Sequence, residues 1–376
     1  MHDGACPTTG PNRVFIRFWQ CAAGFWRDPT TGVARGLIAI LVVAPILELL
    51  VQYRLNVWTR DFFDALERKD GTMIGRQVLV FAPLAVAGVA VAITGVWSRM
   101  KAQRQWREWL SRQLIDRWLS NGGYRQMVLR LDGDLNPEYR IAEDARVATD
   151  APIDLGIGLL SSLLTVLTFI GVLWSVGGDF DARRLGHDIV IPGYLVLGAV
   201  AYAAFTTAGM LVIGRRMVQV FEGKNNAEAE LRHSATRLRE NALLDDNSIN
   251  RDALWSALEL VIARWRDLAW QLMQTTLIAR GSLLLSPVVA LAFCAPKYLA
   301  GTMTLGEVTQ ASAAFVIVQA AFSWLVDNYP RLAEWASSAN RVGSLLVTLD
   351  GITPSLPPSG VASGPDSGKE AGAPHG

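Results

Sequence analysis

Charge is scarce in this 376-residue chain: Asp, Glu, Lys and Arg make up 18% of it, against 51% hydrophobic residues. So little charge excludes a soluble multidomain protein. Cysteine is rarer still, and Cys6, Cys21 and Cys294 share neither disulfide nor metal-ligand spacing, which favours free thiols. His2, His187, His233 and His375 are equally scattered, so no metal site is expected. A phosphate-binding loop of the form G-x-x-x-x-G-K-[ST] is also lacking. The nearest match, Gly364 to Glu370, is one residue short and has no hydroxyl to hold Mg²⁺, so ATP hydrolysis by these residues alone is not expected. No nucleic-acid partner is expected either.

What the chain has in quantity is long apolar runs, with a mean hydropathy of +0.25. Six of them, at 36–53, 78–97, 155–176, 189–213, 277–296 and 308–326, approach the ~20 residues that cross ~30 Å of hydrocarbon. The fold class expected is therefore an all-α integral membrane protein with membrane lipid as its solvent. Of the Lys and Arg residues, 26 fall before the first span, in the two long loops 98–154 and 214–276, and after the last span. Only 8 fall in the three other loops, so both termini and both long loops are expected on the cytoplasmic side. That distribution suits a multi-pass protein of a bacterial inner membrane.

Residues 1–35 form an N-terminal segment in which Phe15, Phe18, Trp19, Ala22, Phe25 and Trp26 recur at helical spacing. This predicts an amphipathic helix lying in the membrane interface, without the apolar core and cleavage site of a signal peptide. Past the second span, Trp106, Trp109, Leu110, Gln113, Leu114, Arg117 and Trp118 keep helical period with no Gly or Pro before Gly122, so that helix should extend far beyond the membrane. Past the fourth, Glu222 to Asn241 should do the same. Gly122-Gly123, a short piece from Tyr124 to Leu131, and Asp132-Gly133-Asp134 make a transverse tip, before Asn136-Pro137-Glu138 restarts a helix in the expected capping order. A second break is expected at Leu244 to Arg251. Residues 36–350 thus read as one membrane domain, and 351–376, rich in Pro, Gly, Ser and Ala, as a disordered tail. Trp19, Trp26, Trp58, Trp97, Trp174 and Trp324 are expected as interface anchors, and Trp106, Trp109, Trp118, Trp265 and Trp270 as helix-on-helix packing.

Several segments then carry a resemblance. Asn56-Val57-Trp58-Thr59-Arg60-Asp61-Phe62-Phe63-Asp64-Ala65-Leu66 resembles the signature after the first helix of YddA-type ABC transporter permeases and their SbmA/BacA-like relatives. Asn136 to Asp144 resembles that family's Asn-Pro-Asp-Gln-Arg-Ile-x-Glu-Asp segment, with Glu138 and Tyr139 departing from it. Gly171 to Ser175, Ile191 to Tyr194, Ile213 to Arg215, Arg239 to Ala242 and Asp327 to Ala333 follow in family order. The resemblance implies the ABC exporter fold with six helices, a homodimer or a heterodimer with a related half, and transverse tips acting as coupling helices. It further implies that ATP and Mg²⁺ are handled by a partner ATPase. Substrates of the wider family are peptides, cobalamin and lipid-like acyl compounds. The SbmA/BacA-like relatives imply the alternative, a proton-driven peptide importer.

Five residues are candidates for a substrate or proton pathway. Glu48 interrupts an apolar span, where an ionised side chain costs at least ~2.5 kcal/mol, and reads either as a protonatable site or cavity wall or as an interfacial acid. Arg280 reads as an interfacial snorkelling residue or as a substrate contact. Arg60, Asp61 and Asp64 lie on an outward helix that reads as a solvated face with i,i+4 ion pairs such as Asp64 to Arg68, or as a gate. Arg140, Glu143 and Asp144, with Arg146 beside them, read as an ATPase-docking surface or as an internal ion-pair network. Arg239 and Glu240 carry the same two readings at the second tip.

Overall fold

The structure is a computed structural model that describes residues 18–27, 32–120, 124, 136–181, 190–240 and 248–350. Its long helices are α1 (Gly32–Glu67), α2 (Gly71–Leu119), α3 (Ala145–Gly177), α4 (Tyr194–Gly214), α5 (Met217–Glu240), α6 (Ser248–Leu299) and α7 (Leu305–Asp350). Six stretches of these helices are long and apolar enough to cross a membrane, α4 and α5 counting as one. None of the most apolar window of α2 is buried inside the protein, the signature of a helix whose solvent is lipid. By contrast 41% of the corresponding α7 window is buried, which makes α7 the core helix.

The expected extensions exist. At 49 residues, α2 is about 74 Å long at 1.5 Å per residue, more than twice the hydrocarbon thickness. α4 and α5 are separated by a turn at Arg215 and Arg216. α6 is already helical at Ser248, so the second break does not reach Arg251, and 241–247 lie outside the described residues. The same holds for residues 121–135, Gly122-Gly123 and the tip included, of which Tyr124 alone is described. Asn136 does stand before Pro137, but its side chain makes no capping hydrogen bond. The turn Pro137–Tyr139 runs through a wide π turn, Arg140–Asp144, into α3.

One element has no precedent in the sequence reading. Between α3 and α4, β1 (Asp179–Asp181) pairs antiparallel with β2 (Val190–Pro192), Phe180 opposite Ile191. Strands of three residues are too short to display alternation. The pair closes at Gly193, whose φ of 60° places it against the Trp174 ring, where no Cβ would fit.

The chain forms two compact units. One comprises Pro29–Arg104 and Asp150–Trp335, and its core joins Phe169 and Leu173 of α3, Leu195 and Ala199 of α4, Ala290 and Cys294 of α6, and Ala311, Phe315 and Val318 of α7. The other comprises Met1–Asp28, Gln105–Thr149 and Ala336–Gly376. Among its described residues Phe18, Ala22 and Phe25 are buried with Trp106, Leu110 and Leu114. The Trp106 Nε1 donates to the Ala22 carbonyl at 3.2 Å, and Trp26 meets the Trp106 ring edge-on at 5.4 Å. Phe18, Ala22 and Phe25 are thus taken up by protein, Trp19 stays 39% exposed, and Phe15 lies outside the described residues. Trp265 of α6 packs against α5 as expected, under the Lys224 ammonium at 4.9 Å and donating to Glu228 at 3.3 Å, whereas Trp270 is 61% exposed.

Candidate functional site: a charged cleft between α4, α6 and α7

α4, α6 and α7 enclose a cleft of about 530 Å³, within the range of small-molecule sites. Thr206 and Thr207 come from α4, Thr276, Arg280 and Ser282 from α6, and Gln319, Ser323 and Asp327 from α7, with Met210, Ile278, Leu283 and Val326 as apolar wall. Arg280 thus faces a cavity, and Asp327 shares it. Gln319 is only 3% exposed. Its Nε2 donates to Thr206 Oγ1 at 2.7 Å, while its Oε1 has no hydrogen-bond partner among the described residues. The Thr206 hydroxyl donates in turn to the carbonyls of Tyr202 and Ala203, both at 3.0 Å. The Tyr202 hydroxyl donates to the Ser282 carbonyl at 2.7 Å, which ties α4 to α6.

The remaining pathway candidates separate. Glu48 is exposed and lines a smaller cleft of about 200 Å³ together with Arg99. Arg99 belongs to a junction of α2, α3 and α7: Asp154 accepts from Gln103 at 2.8 Å and from Arg331 at 2.9 Å, with the Arg99 Nε at 3.7 Å. Arg60 pairs with its neighbour Asp61 at 3.0 Å. Asp64 is turned to a different use from the expected ion pair with Arg68: its Oδ1 accepts from the Gly306 amide at 2.9 Å, while Glu67 Oε2 accepts from the Leu305 amide at 3.0 Å. These are orphan N–H groups at the start of α7, which Thr304 and Glu307 complete with a reciprocal capping box. A Cβ at Gly306 would collide with the Arg60 carbonyl and the Asp64 carboxylate. Asn56 extends the junction by donating to the Gln310 carbonyl at 3.1 Å. The segment from Asn56 to Glu67 is thus a receptor for the start of α7.

In the other unit Asp144 is 1% exposed and cannot form part of a docking surface. Arg341 grips it bidentately, Nε at 2.9 Å and Nη2 at 2.6 Å, and is itself held by Ser337 and Ser338. Arg140 donates to the Arg341 carbonyl at 3.1 Å and to Ser344 Oγ at 2.5 Å. Burial pushes the Arg140 guanidinium below its ordinary value, and Asp144 opposes that push. Glu143 binds Arg146 at 2.5 Å, and this hydrogen bond holds its carboxyl below the usual range. Arg239 and Glu240 are exposed at the end of α5.

Sequence reasoning missed Asp327, Gln319, Asp154 and Arg341. A usable signal existed for two: Gln319 is an amide inside an apolar run, and Asp327 precedes Pro330 by three residues in a helix. Asp154 and Arg341 sit in polar stretches where nothing local marks their partners.

Six membrane-length helices with a polar cleft between three of them define a multi-pass, all-α transporter-type membrane domain of the ABC exporter kind. Residues 29–295 match the family described as ABC transporter transmembrane region 2, and the chain belongs to that family. Over 344 residues it is 27% identical to the inner membrane ABC transporter ATP-binding protein YddA of Escherichia coli, covering 88% of this chain and 60% of that protein. It is 25% identical to an uncharacterized ABC transporter ATP-binding protein of Synechocystis, covering 84% of this chain and 46% of the relative. It is 21% identical to the chloroplastic ABC transporter D family member 2 of Arabidopsis thaliana, covering 90% and 46%. The chain thus spans about half the length of these relatives.

Proposed function

We propose that this chain is the transmembrane part of an ABC-type transporter that moves a solute across a bacterial inner membrane, with both ends of the membrane domain on the cytoplasmic side. Power comes from ATPase domains outside residues 29–350, and the working unit is a dimer with a second copy or a related half. The observation that carries this reading is the family match over 29–295, joined to relatives whose names describe ATP-binding proteins. Arg239 and Glu240, exposed at the end of α5, and the Glu143 and Arg146 pair are the docking groups for the ATPase. Asp144 and Arg140 hold α7 through Arg341 and Ser344.

The test is reconstitution in proteoliposomes with the ATPase domain of a longer relative. ATPase activity stimulated by this chain, and lowered several-fold by Arg239→Glu with Glu240→Arg, is the expected result. Solute movement driven by a pH gradient without nucleotide, and lost in Glu48→Gln, would instead establish a proton-driven importer.

A further inference from the structure

We infer that the cleft between α4, α6 and α7 binds a zwitterion, a ligand carrying an ammonium and an anionic group on one small frame. The cleft presents one cation, Arg280, and one anion, Asp327, and among the described residues neither makes an ion pair or a hydrogen bond. Both charges are open to the cleft and left to whatever fills it. A neutral ligand would strip water from both and return nothing. A simple anion would answer Arg280 but be repelled by Asp327, and a simple cation would meet the reverse. Only a ligand with both charges satisfies both groups at once.

Two further features build the acceptor side. Pro287 in α6 and Pro330 in α7 have no N–H, so the carbonyls of Leu283 and Val326, four residues earlier, lose their regular helical partners. Both residues line the cleft. An ammonium brings three donors, and the Asp327 carboxylate supplies acceptors for them. The guanidinium of Arg280 then takes the anionic end as a planar fork. Met210 and Ile278 add apolar wall for the body of such a ligand. A soluble dipeptide and a phosphatidylethanolamine headgroup share this chemistry, so the test has an arm for each.

The full chain is placed in phosphatidylglycerol nanodiscs and titrated with leucyl-leucine, its N-acetyl form and its C-terminal amide. If the ligand is soluble, leucyl-leucine binds and each blocked form binds at least tenfold more weakly. Asp327→Asn then removes the penalty for N-acetylation, and Arg280→Gln removes the penalty for amidation. If the ligand is a lipid, leucyl-leucine does not bind. Nanodiscs containing phosphatidylethanolamine then raise the unfolding temperature above that in phosphatidylglycerol alone, and both variants lose the increase. Blocked forms that bind as well as the parent, or silence in both arms, would overturn the inference. Binding is read without nucleotide or gradient, so such a failure leaves the transporter assignment standing. Both side chains are exposed, and variants that unfold at the parental temperature confirm that lost binding is local.

Discussion

At the junction of α1 and α7 each carboxylate has a backbone partner, Asp64 on the Gly306 amide and Glu67 on the Leu305 amide, whereas in the cleft Arg280 and Asp327 face open volume. Both regions look alike in sequence, a few charges beside an apolar run. The junction spends its charges on holding one helix to another. The cleft leaves them for something else. Satisfied charge marks construction, and unsatisfied charge at a cavity marks use.

Substitutions can break this contrast, and the largest effect belongs to a charge of the first kind. Asp144→Ala removes two charge-assisted hydrogen bonds from Arg341 and should lower stability by about 3 kcal/mol, at about 1.5 kcal/mol each. Thermal unfolding in detergent checks it. Gly306→Ala forces a Cβ against the Arg60 carbonyl, and an overpacked contact of that kind should cost about 2 kcal/mol by the same measurement. Asp64→Ala removes a single cap and should cost about 1 kcal/mol. Arg280→Gln and Asp327→Asn should shift stability by no more than about 0.5 kcal/mol, because neither has a partner to lose. A large loss in either would place the cleft charges with the structural ones.

A smaller test uses pH. Asp70 caps α2, its Oδ1 accepting from the Thr72 hydroxyl at 2.7 Å and from the Thr72 and Met73 amides. These bonds, the Thr72 hydroxyl first, hold its carboxyl below the ordinary value. A lowered carboxyl contributes stability that is present above the unfolded value, about 4, and is lost as pH falls through the folded one. Asp70→Asn should therefore lose part of its deficit relative to the parent as pH is lowered through that window. Unfolding temperatures of both proteins across it provide the check.

The spanning helices were legible because apolar length is a local property. So was the reach of α2 beyond the membrane, since Trp106, Leu110 and Leu114 repeat at helical spacing and are all buried. The roles of individual charges were not legible. Asp64 looked like a partner for Arg68 four residues on, and its real partner lies 242 residues away. Asp144 and Arg341 are 197 residues apart. No periodicity encodes such pairs; they exist only once α7 has come back to its neighbours. Arg280 was identified as a candidate, but its cavity needed Asp327 and Gln319 from another helix to become a site.

That separation also bears on how the molecule is made. A ribosome adding 5 to 20 residues per second needs roughly 10 to 50 s to pass from Asp64 to Gly306. Through that interval Asp64 and Glu67 are ordinary hydrated carboxylates at the end of a helix already inserted. Closing so long a loop is entropically slow, so the seating of α7 should be among the last events of folding. The motif that resembles a gate is then a late checkpoint, engaged only when the final helix has arrived.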